Sequence, residues 1–201
     1  MPAMMRRRHA LSLLALLPWR GVAHADDTGG DPFRSLQWPD LKREFFGSAP
    51  VVFDERVQVR APAFAEDPRS VPVGVAALGL PDIESIVVFV DRNPIRKVLE
   101  YQPLAALASV GLRFKLEQAS PVRAAARTKD GVWHVGGTLV DSSGGGCTVA
   151  GATRKDGSWS QTLGQVSGKL FAGSPIAQAQ GSSGASRLRV RVMHPMDTGL
   201  V

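Results

Sequence analysis

Apolar and polar residues alternate with a period of two along much of the chain, which is the pattern of half-buried β-strands. A denser apolar run at 86–90 ends at Asn93-Pro94, and it predicts a further strand. Lys129-Asp130-Gly131 separates two more alternating runs, which is typical of a β-hairpin. The other predicted strands include segments 57–60, 71–75 and 112–116.

About seven short strands with turns at regular spacing predict an all-β fold. We expect an immunoglobulin-like antiparallel β-sandwich over residues 36–147, with a small barrel as the alternative. One short helix is expected at 38–47, where Leu41, Phe45 and Phe46 share a helical face and Gly47 stops the helix. The sequence also indicates a helical turn after Tyr101, and a loose polar leader at 26–37.

The composition shifts after Ser142 towards glycine, serine, alanine and glutamine. We therefore expect a linker over residues 148–186, in which segment 164–173 could form a short strand. Alternation returns at Leu188, Val190 and Val192. Residues 187–201 either add a strand to the sandwich or begin a second, incomplete sandwich, because a lone edge strand cannot bury its apolar face.

The N-terminus has the order of a secretory signal peptide. Three arginines at 6–8 precede a short apolar run at 10–17, and Ala23-His24-Ala25 forms a cleavage pattern. The run is shorter than the roughly 18 residues that a membrane span needs. We expect residues 1–25 to be removed and the mature protein to be periplasmic without a membrane span. The arginines fit twin-arginine export, and the general route fits equally well.

The net charge of +6 comes largely from the predicted signal peptide. The chain has 24 Lys and Arg against 18 Asp and Glu. Residues 1–25 contain four arginines and no acidic residue, which leaves 20 against 18, or +2, after cleavage. The mature sequence has no basic stripe with interleaved aromatic residues, so a nucleic-acid-binding protein is not expected.

Conventional catalytic and metal sites find little support. The mature sequence has two histidines, His134 and His194, with no spacing typical of a zinc site. His134 is interpreted as an ordinary strand residue, and Asp91 and Asp141 as turn residues at strand ends. No nucleophile elbow or phosphate-binding loop occurs. We expect no cofactor and no enzymatic activity of the protein's own.

The chemistry of the chain is concentrated in "SSGGGC", which contains its only cysteine, Cys147, directly after Gly144, Gly145 and Gly146. In an oxidising compartment a single thiol is capped, paired between molecules, or reactive. Glycines offer no packing and are entropically costly to order, so the pattern predicts an exposed thiol on a mobile segment. No basic residue lies nearer in sequence than Arg154 to activate it. This favours a handle for cargo over a buried structural cysteine, and it leaves a disulfide-linked dimer open.

Several segments together resemble a known family. "RVQVRAPAFAEDPRSVPVGV", "VVFVDRNP" and "SSGGGC" are similar to segments of SoxY, and "MHPMDTGL" is similar to the opening of SoxZ. Their order is most similar to fused SoxYZ-like carriers found with quinoprotein dehydrogenases, truncated at the start of the SoxZ-like half. The resemblance implies that Cys147 covalently carries sulfur intermediates on a glycine hinge. It also implies a SoxZ-like domain and periplasmic haem, molybdenum or quinoprotein enzymes as partners.

In SoxY the cysteine is followed by glycines and the chain end, whereas Thr148, Val149 and Ala150 follow here. The glycine-cysteine arm, residues 144–147, is therefore tethered at both ends, and its cargo is left unassigned. Two other interpretations stay open. One is a non-covalent accessory module of a periplasmic quinoprotein dehydrogenase system, and the other is a truncated remnant without function.

Overall fold

The computed structural model describes residues 28–148, 158–173 and 185–194. One α-helix opens the described chain, α1 (Trp38–Phe46), and a 3-10 helix lies at Ser158–Thr162. The strands are β1 (Val51–Phe53), β2 (Gln58–Arg60), β3 (Phe64–Ala65), β4 (Val71–Ala76), β5 (Ile83–Val90), β6 (Lys97–Tyr101), β7 (Ser109–Phe114), β8 (Ser120–Thr128), β9 (Trp133–Ser142), β10 (Val166–Phe171) and β11 (Arg187–Val192).

Strands β1 to β9 form two sheets, which confirms the predicted all-β, immunoglobulin-like sandwich and not the barrel. The larger sheet has the order β1-β9-β8-β5-β6, with β3 also paired to β9. The smaller sheet has the order β2-β4-β7. Most pairs are antiparallel, but β1 and β3 each pair with β9 in parallel, which the prediction of an antiparallel fold did not include.

The alternating apolar residues of both sheets meet in the main core. Val71, Val73 and Val75 of β4 face Ile86 and Val88 of β5 in this cluster. On the opposite face of the larger sheet, α1 packs through Trp38, Leu41 and Phe46 against Val87 and Phe89. Because β5 is buried on both faces, it reads as a continuous apolar run rather than an alternating one.

Helix α1 ends where the sequence predicted, because Gly47 adopts a positive φ of 58° after its last turn. Tyr101 ends β6, and a turn follows it as expected, closed by a 2.8 Å hydrogen bond from the Ala106 N–H to the Pro103 carbonyl. The turn is not helical, because Leu104 has a positive φ of 53°. Strand β6 was not predicted, because its burial follows no period of two. Strands β1 and β3 have three and two residues, too few for an alternating pattern to emerge.

The described part of the expected loose leader is tightly packed. Asp31 and Ser35 are buried, at 4% and 2% exposure. Arg123, which projects from the middle of the larger sheet with a fully buried side chain, donates two hydrogen bonds of 2.7 Å to Asp31. It donates two more to Asp91, at 2.7 and 2.9 Å. This buried ion cluster, Arg123 with Asp31 and Asp91, fastens the N-terminal segment to the sheet. Asp91 is therefore more than a turn residue.

Strands β10 and β11 form a two-stranded antiparallel ribbon of their own. Strand β10 lies inside the predicted linker, within segment 164–173 where the sequence indicated a short strand. Strand β11 forms as predicted, but it pairs with β10 and not with the sandwich. Leu170, Leu188 and Val190 of the ribbon are largely exposed. The predicted signal peptide, 1–25, and most of the "MHPMDTGL" segment lie outside the described residues.

Candidate functional site

The cysteine at the end of the glycine run is buried, with 4% exposure. Cys147 lies against residues 115–117, the docking segment, which connects β7 to β8. Its Sγ is 3.7 Å from the carbonyl oxygen of Lys115. The prediction of an exposed thiol is therefore wrong for this conformation, because the segment finds backbone partners that compensate for ordering the glycines.

The backbone of the glycine run pairs with the docking segment almost as a strand would. The N–H of Gly145 donates to the carbonyl of Glu117 at 2.9 Å, and that of Gly146 donates to the carbonyl of Leu116 at 3.2 Å. Gly144 and Gly145 have φ values of 91° and 80°, which side chains rarely adopt. The first two glycines thus turn the chain towards the docking segment.

Gly146 is required by close approach rather than by its backbone angles. A Cβ atom at this position would lie 2.3 Å from the carbonyl oxygens of both Leu116 and Pro68. No side chain fits there unless the backbone moves. Each glycine of the run therefore has a local structural reason in the docked conformation, in addition to the hinge role predicted from the sequence.

The Glu117 carboxylate accepts hydrogen bonds from both Cys147 and the residue that follows it, Thr148. Its Oε2 accepts hydrogen bonds from the N–H groups of Cys147 and Thr148, at 2.9 and 3.1 Å. Its Oε1 accepts one from the Thr148 hydroxyl at 2.9 Å. Thr148 therefore contributes to docking.

The docking segment is itself held by residues from the other distinctive sequence segments. Asn93, from "VDRNP", donates to the Lys115 carbonyl at 2.6 Å and accepts from the Glu117 N–H at 2.9 Å. Pro68, from "AEDPRS", accepts a hydrogen bond from the Leu116 N–H at 2.8 Å. Three separated segments of the sequence thus converge on the surroundings of Cys147.

This convergence fits the outcome of a comparison with protein families. Residues 42–147, more than half of the chain, match the family described as "Sulfur oxidation protein SoxY". The chain belongs to the SoxY family. The match ends at Cys147, so the docked cysteine is the last residue of the family's common region in this chain.

Solved structures with similar folds include a SoxY. The sulfur carrier protein SoxY from Chlorobium limicola f thiosulfatophilum is 23% identical, with 53% of this chain and 96% of that chain covered and a TM-score of 0.46. A putative superoxide reductase from Thermotoga maritima is 16% identical, with coverages of 49% and 89% and a TM-score of 0.38. A comparison with curated proteins found no match. Membership of the SoxY family rests on the match over 42–147.

Sequence reasoning missed two charged residues near the thiol, Glu117 and Lys115, because they lie 30 positions or more from Cys147 along the chain. Burial raises the pKa of the Cys147 thiol, and the negative charge of Glu117 raises it further. The positive charge of Lys115 acts in the opposite direction. In this SoxY-family site the docked thiol is thus less nucleophilic than an ordinary cysteine thiol, because the thiolate is the nucleophile.

His134, predicted to be an ordinary strand residue, belongs to a second polar group at the far end of β8. Its Nδ1 lies 2.8 Å from Asp54 Oδ2 and its Nε2 lies 3.3 Å from the Thr128 hydroxyl. The Thr128 hydroxyl donates to Asp130 at 2.5 Å, so it is engaged as a turn-stabilising donor. The group links β1, β8 and β9, and we assign it a structural role.

The described residues contain no group of three His, Cys, Asp or Glu side chains that could hold a metal ion. Nor does any helix in residues 28–148, 158–173 and 185–194 have the length and apolarity to cross a membrane.

Proposed function

We propose that this SoxY-family protein is a covalent carrier that holds sulfur intermediates on Cys147 for partner oxidation enzymes in the periplasm. The observation that carries the proposal is the convergence of the three distinctive sequence segments on a single docked thiol. The signal-peptide pattern of residues 1–25 supports the location. A SoxZ-like domain and haem, molybdenum or quinoprotein enzymes are the proposed partners.

Carriage requires the cysteine arm to undock. The docked arm is held by a small number of hydrogen bonds, each contributing roughly 1 kcal/mol net, or about 2 kcal/mol where Glu117 accepts. The freed glycines regain conformational entropy, which offsets part of this loss. Docking is therefore weak enough for a partner enzyme to displace, and strong enough to shelter the thiol between encounters.

The loading step is a two-electron oxidation. With thiosulfate as donor, the thiol of Cys147 forms an S–S bond to the outer sulfur of thiosulfate. The thiol proton is released, and two electrons pass to the redox centre of the partner enzyme. The product is a thiosulfonate on Cys147. With a polysulfide donor, the thiolate instead displaces a shorter polysulfide and becomes a persulfide, with no external oxidant.

Intact-mass measurement tests the proposal. The full chain is incubated with thiosulfate and a thiosulfate-oxidising periplasmic extract, beside Cys147→Ser. We expect a sulfur adduct on the wild type and none on the variant. An unmodified wild type, or an equal adduct on both proteins, would refute covalent carriage. If Cys147→Ser also left thiosulfate oxidation unchanged, a non-covalent accessory role would replace it.

A further inference from the structure

Lys115 is a partly buried residue whose ammonium group is shielded and has no hydrogen-bond partner. Its Nζ is shielded from solvent and makes no hydrogen bond. Among the side-chain nitrogen and oxygen atoms of the described residues, it is the sole buried atom in this state. An ammonium group has three hydrogen-bond donors, and leaving them unsatisfied away from water costs free energy. An unsatisfied buried group of this kind indicates a missing partner, and for a cation an anion is the complementary one.

This cation belongs to the same short segment that docks the thiol. The Lys115 carbonyl lies 3.7 Å from Cys147 Sγ, and the positive charge of Lys115 favours the thiolate. The neighbouring carboxylate of Glu117 differs, because three donors from Cys147 and Thr148 already engage it. The polar group near the docked sulfur that still lacks hydrogen-bond partners is therefore the Lys115 ammonium.

We propose that Lys115 binds the anionic group carried by Cys147, an oxyanion of the sulfonate type linked to Sγ. The inference rests on the proposed function and makes it more specific. Charge-assisted hydrogen bonds between ammonium and sulfonate oxygens stabilise the loaded arm in its docked position. A neutral group on the same sulfur gains nothing from Lys115. The site thus distinguishes anionic from neutral cargo.

The adduct can be prepared without a partner enzyme. The Cys147 thiolate attacks a central sulfur of tetrathionate, forms an S–S bond and expels thiosulfate. The thiol proton goes to the buffer, and no external oxidant is consumed. The product carries a terminal sulfonate on Cys147. Carbamidomethylation by iodoacetamide, with iodide as leaving group, gives a neutral comparison adduct on the same atom.

The test compares the alkylation of Cys147 by an anionic reagent with its alkylation by a neutral one. Rate constants with iodoacetate, which is anionic, and iodoacetamide, which is neutral, are measured for the full chain and for a peptide of residues 142–148. We expect the iodoacetate-to-iodoacetamide ratio of the protein to exceed that of the peptide by roughly five-fold, the effect of one ion pair. Lys115→Met should lower the ratio to that of the peptide, and Lys115→Arg should retain most of it.

Lys129→Met is the matched control, because it removes the same charge from an exposed ammonium that lies 3.6 Å from Asp82 at the other end of β8. Its ratio should equal that of the wild type. In a second arm, the tetrathionate adduct should raise the urea midpoint above that of the carbamidomethyl adduct in the wild type and not in Lys115→Met.

Equal ratios in wild type and Lys115→Met would overturn the proposal, as would a wild-type ratio equal to that of the peptide. The peptide comparison decides the matter even if Lys115→Met does not fold. These probes need no partner enzyme, so the result is separate from the proposed function. An anion preference without any adduct in the intact-mass experiment would refute carriage and leave the Lys115 site standing.

Discussion

Two cationic groups of the described residues, the Arg123 guanidinium and the Lys115 ammonium, are shielded from solvent but differ in their hydrogen bonding. Arg123 is fully enclosed and donates four hydrogen bonds to Asp31 and Asp91. Its Cζ also lies 4.8 and 4.7 Å from the ring centroids of Phe33 and Trp38. Lys115 has a buried ammonium with no hydrogen-bond partner among the described residues.

This difference in hydrogen bonding distinguishes a structural cluster, around Arg123, from a candidate binding site, around Lys115. The buried ion cluster is complete, so nothing can be added to it and removing a member leaves uncompensated charge. The surroundings of Cys147 combine satisfied docking contacts with one open cation. Saturation of hydrogen bonds, rather than burial or charge, thus distinguishes the two.

The largest expected effect is at Arg123. Replacing it by methionine leaves the two buried carboxylates without a partner, which should lower the free energy of unfolding by about 4 kcal/mol. Urea denaturation of the purified full chain measures this. Arg127→Met is the control, because Arg127 lies on the same strand but is half exposed and 3.7 Å from Glu84. A loss at Arg123 no larger than that at Arg127 would contradict the structural role.

Gly146→Ala should break docking while leaving the sandwich intact. The added Cβ would overlap two carbonyl oxygens at 2.3 Å, so the arm must leave the docking segment. We expect alkylation of Cys147 by iodoacetamide to accelerate by at least about ten-fold, since losing even one or two of the docking hydrogen bonds corresponds to that factor. Gly74→Ala is a matched control, since no atom lies within 4 Å of a Cβ there. Unchanged alkylation in Gly146→Ala would show that the glycine is not needed for docking.

Glu117→Gln should lower the pKa of the Cys147 thiol, because the nearby negative charge is lost while a carbonyl oxygen remains to accept the N–H groups. In the wild type the docked thiol has a raised pKa, so docking is favoured at low pH and weakens as rising pH deprotonates the sulfur. The pH profile of iodoacetamide alkylation measures the shift. Glu84→Gln, a change on the exposed surface, should leave the profile in place, and a profile unmoved by Glu117→Gln would refute the electrostatic role.

The smallest expected effect is pH-dependent and concerns Asp54, which pairs with the half-exposed Arg56 and with His134. Its hydrogen bonds with Arg56 hold the pKa of this carboxyl well below its usual range, and His134 contributes. The stabilisation is therefore complete above about pH 4, the ordinary aspartate range, and is lost as pH falls through the lowered folded-state pKa. Because Arg56 is half exposed, we expect about 1 kcal/mol or less. Urea denaturation at pH 5 and pH 2 should show a smaller acid loss in Asp54→Asn than in the wild type.

The sequence was sufficient for the elements in which burial follows a simple period. Strand β4 alternates between buried and more exposed positions, and its pattern predicted it correctly. Gly47 likewise marked the end of α1 through a local backbone requirement. Strand β6 and the packed segment around Asp31 escaped prediction, because their order depends on partners distant in the sequence.

The candidate site shows the same division. Cys147 stood out as a single thiol after three glycines, and the family resemblance of its surroundings is confirmed. Its burial could not be predicted, because glycines have no side chains whose periodicity would reveal packing. Lys115 and Glu117 occupy polar positions of an alternating apolar and polar segment, and nothing local distinguishes them from other surface charges. Only the fold brings them to the sulfur.

The contact between Asp31 and Arg123 also has a consequence for how the chain folds. It joins positions 92 residues apart, and the parallel pair of β1 with β9 joins Val51 to Trp133. Contacts across such separations must first close long loops, which slows folding to the millisecond-to-second range typical of β-sandwiches. We therefore expect helix α1 and the segment before it to reach their final place late, once β8 and β9 have paired. During that interval the outer face of the larger sheet stays uncovered, which makes it the surface where a chaperone would be expected to act first.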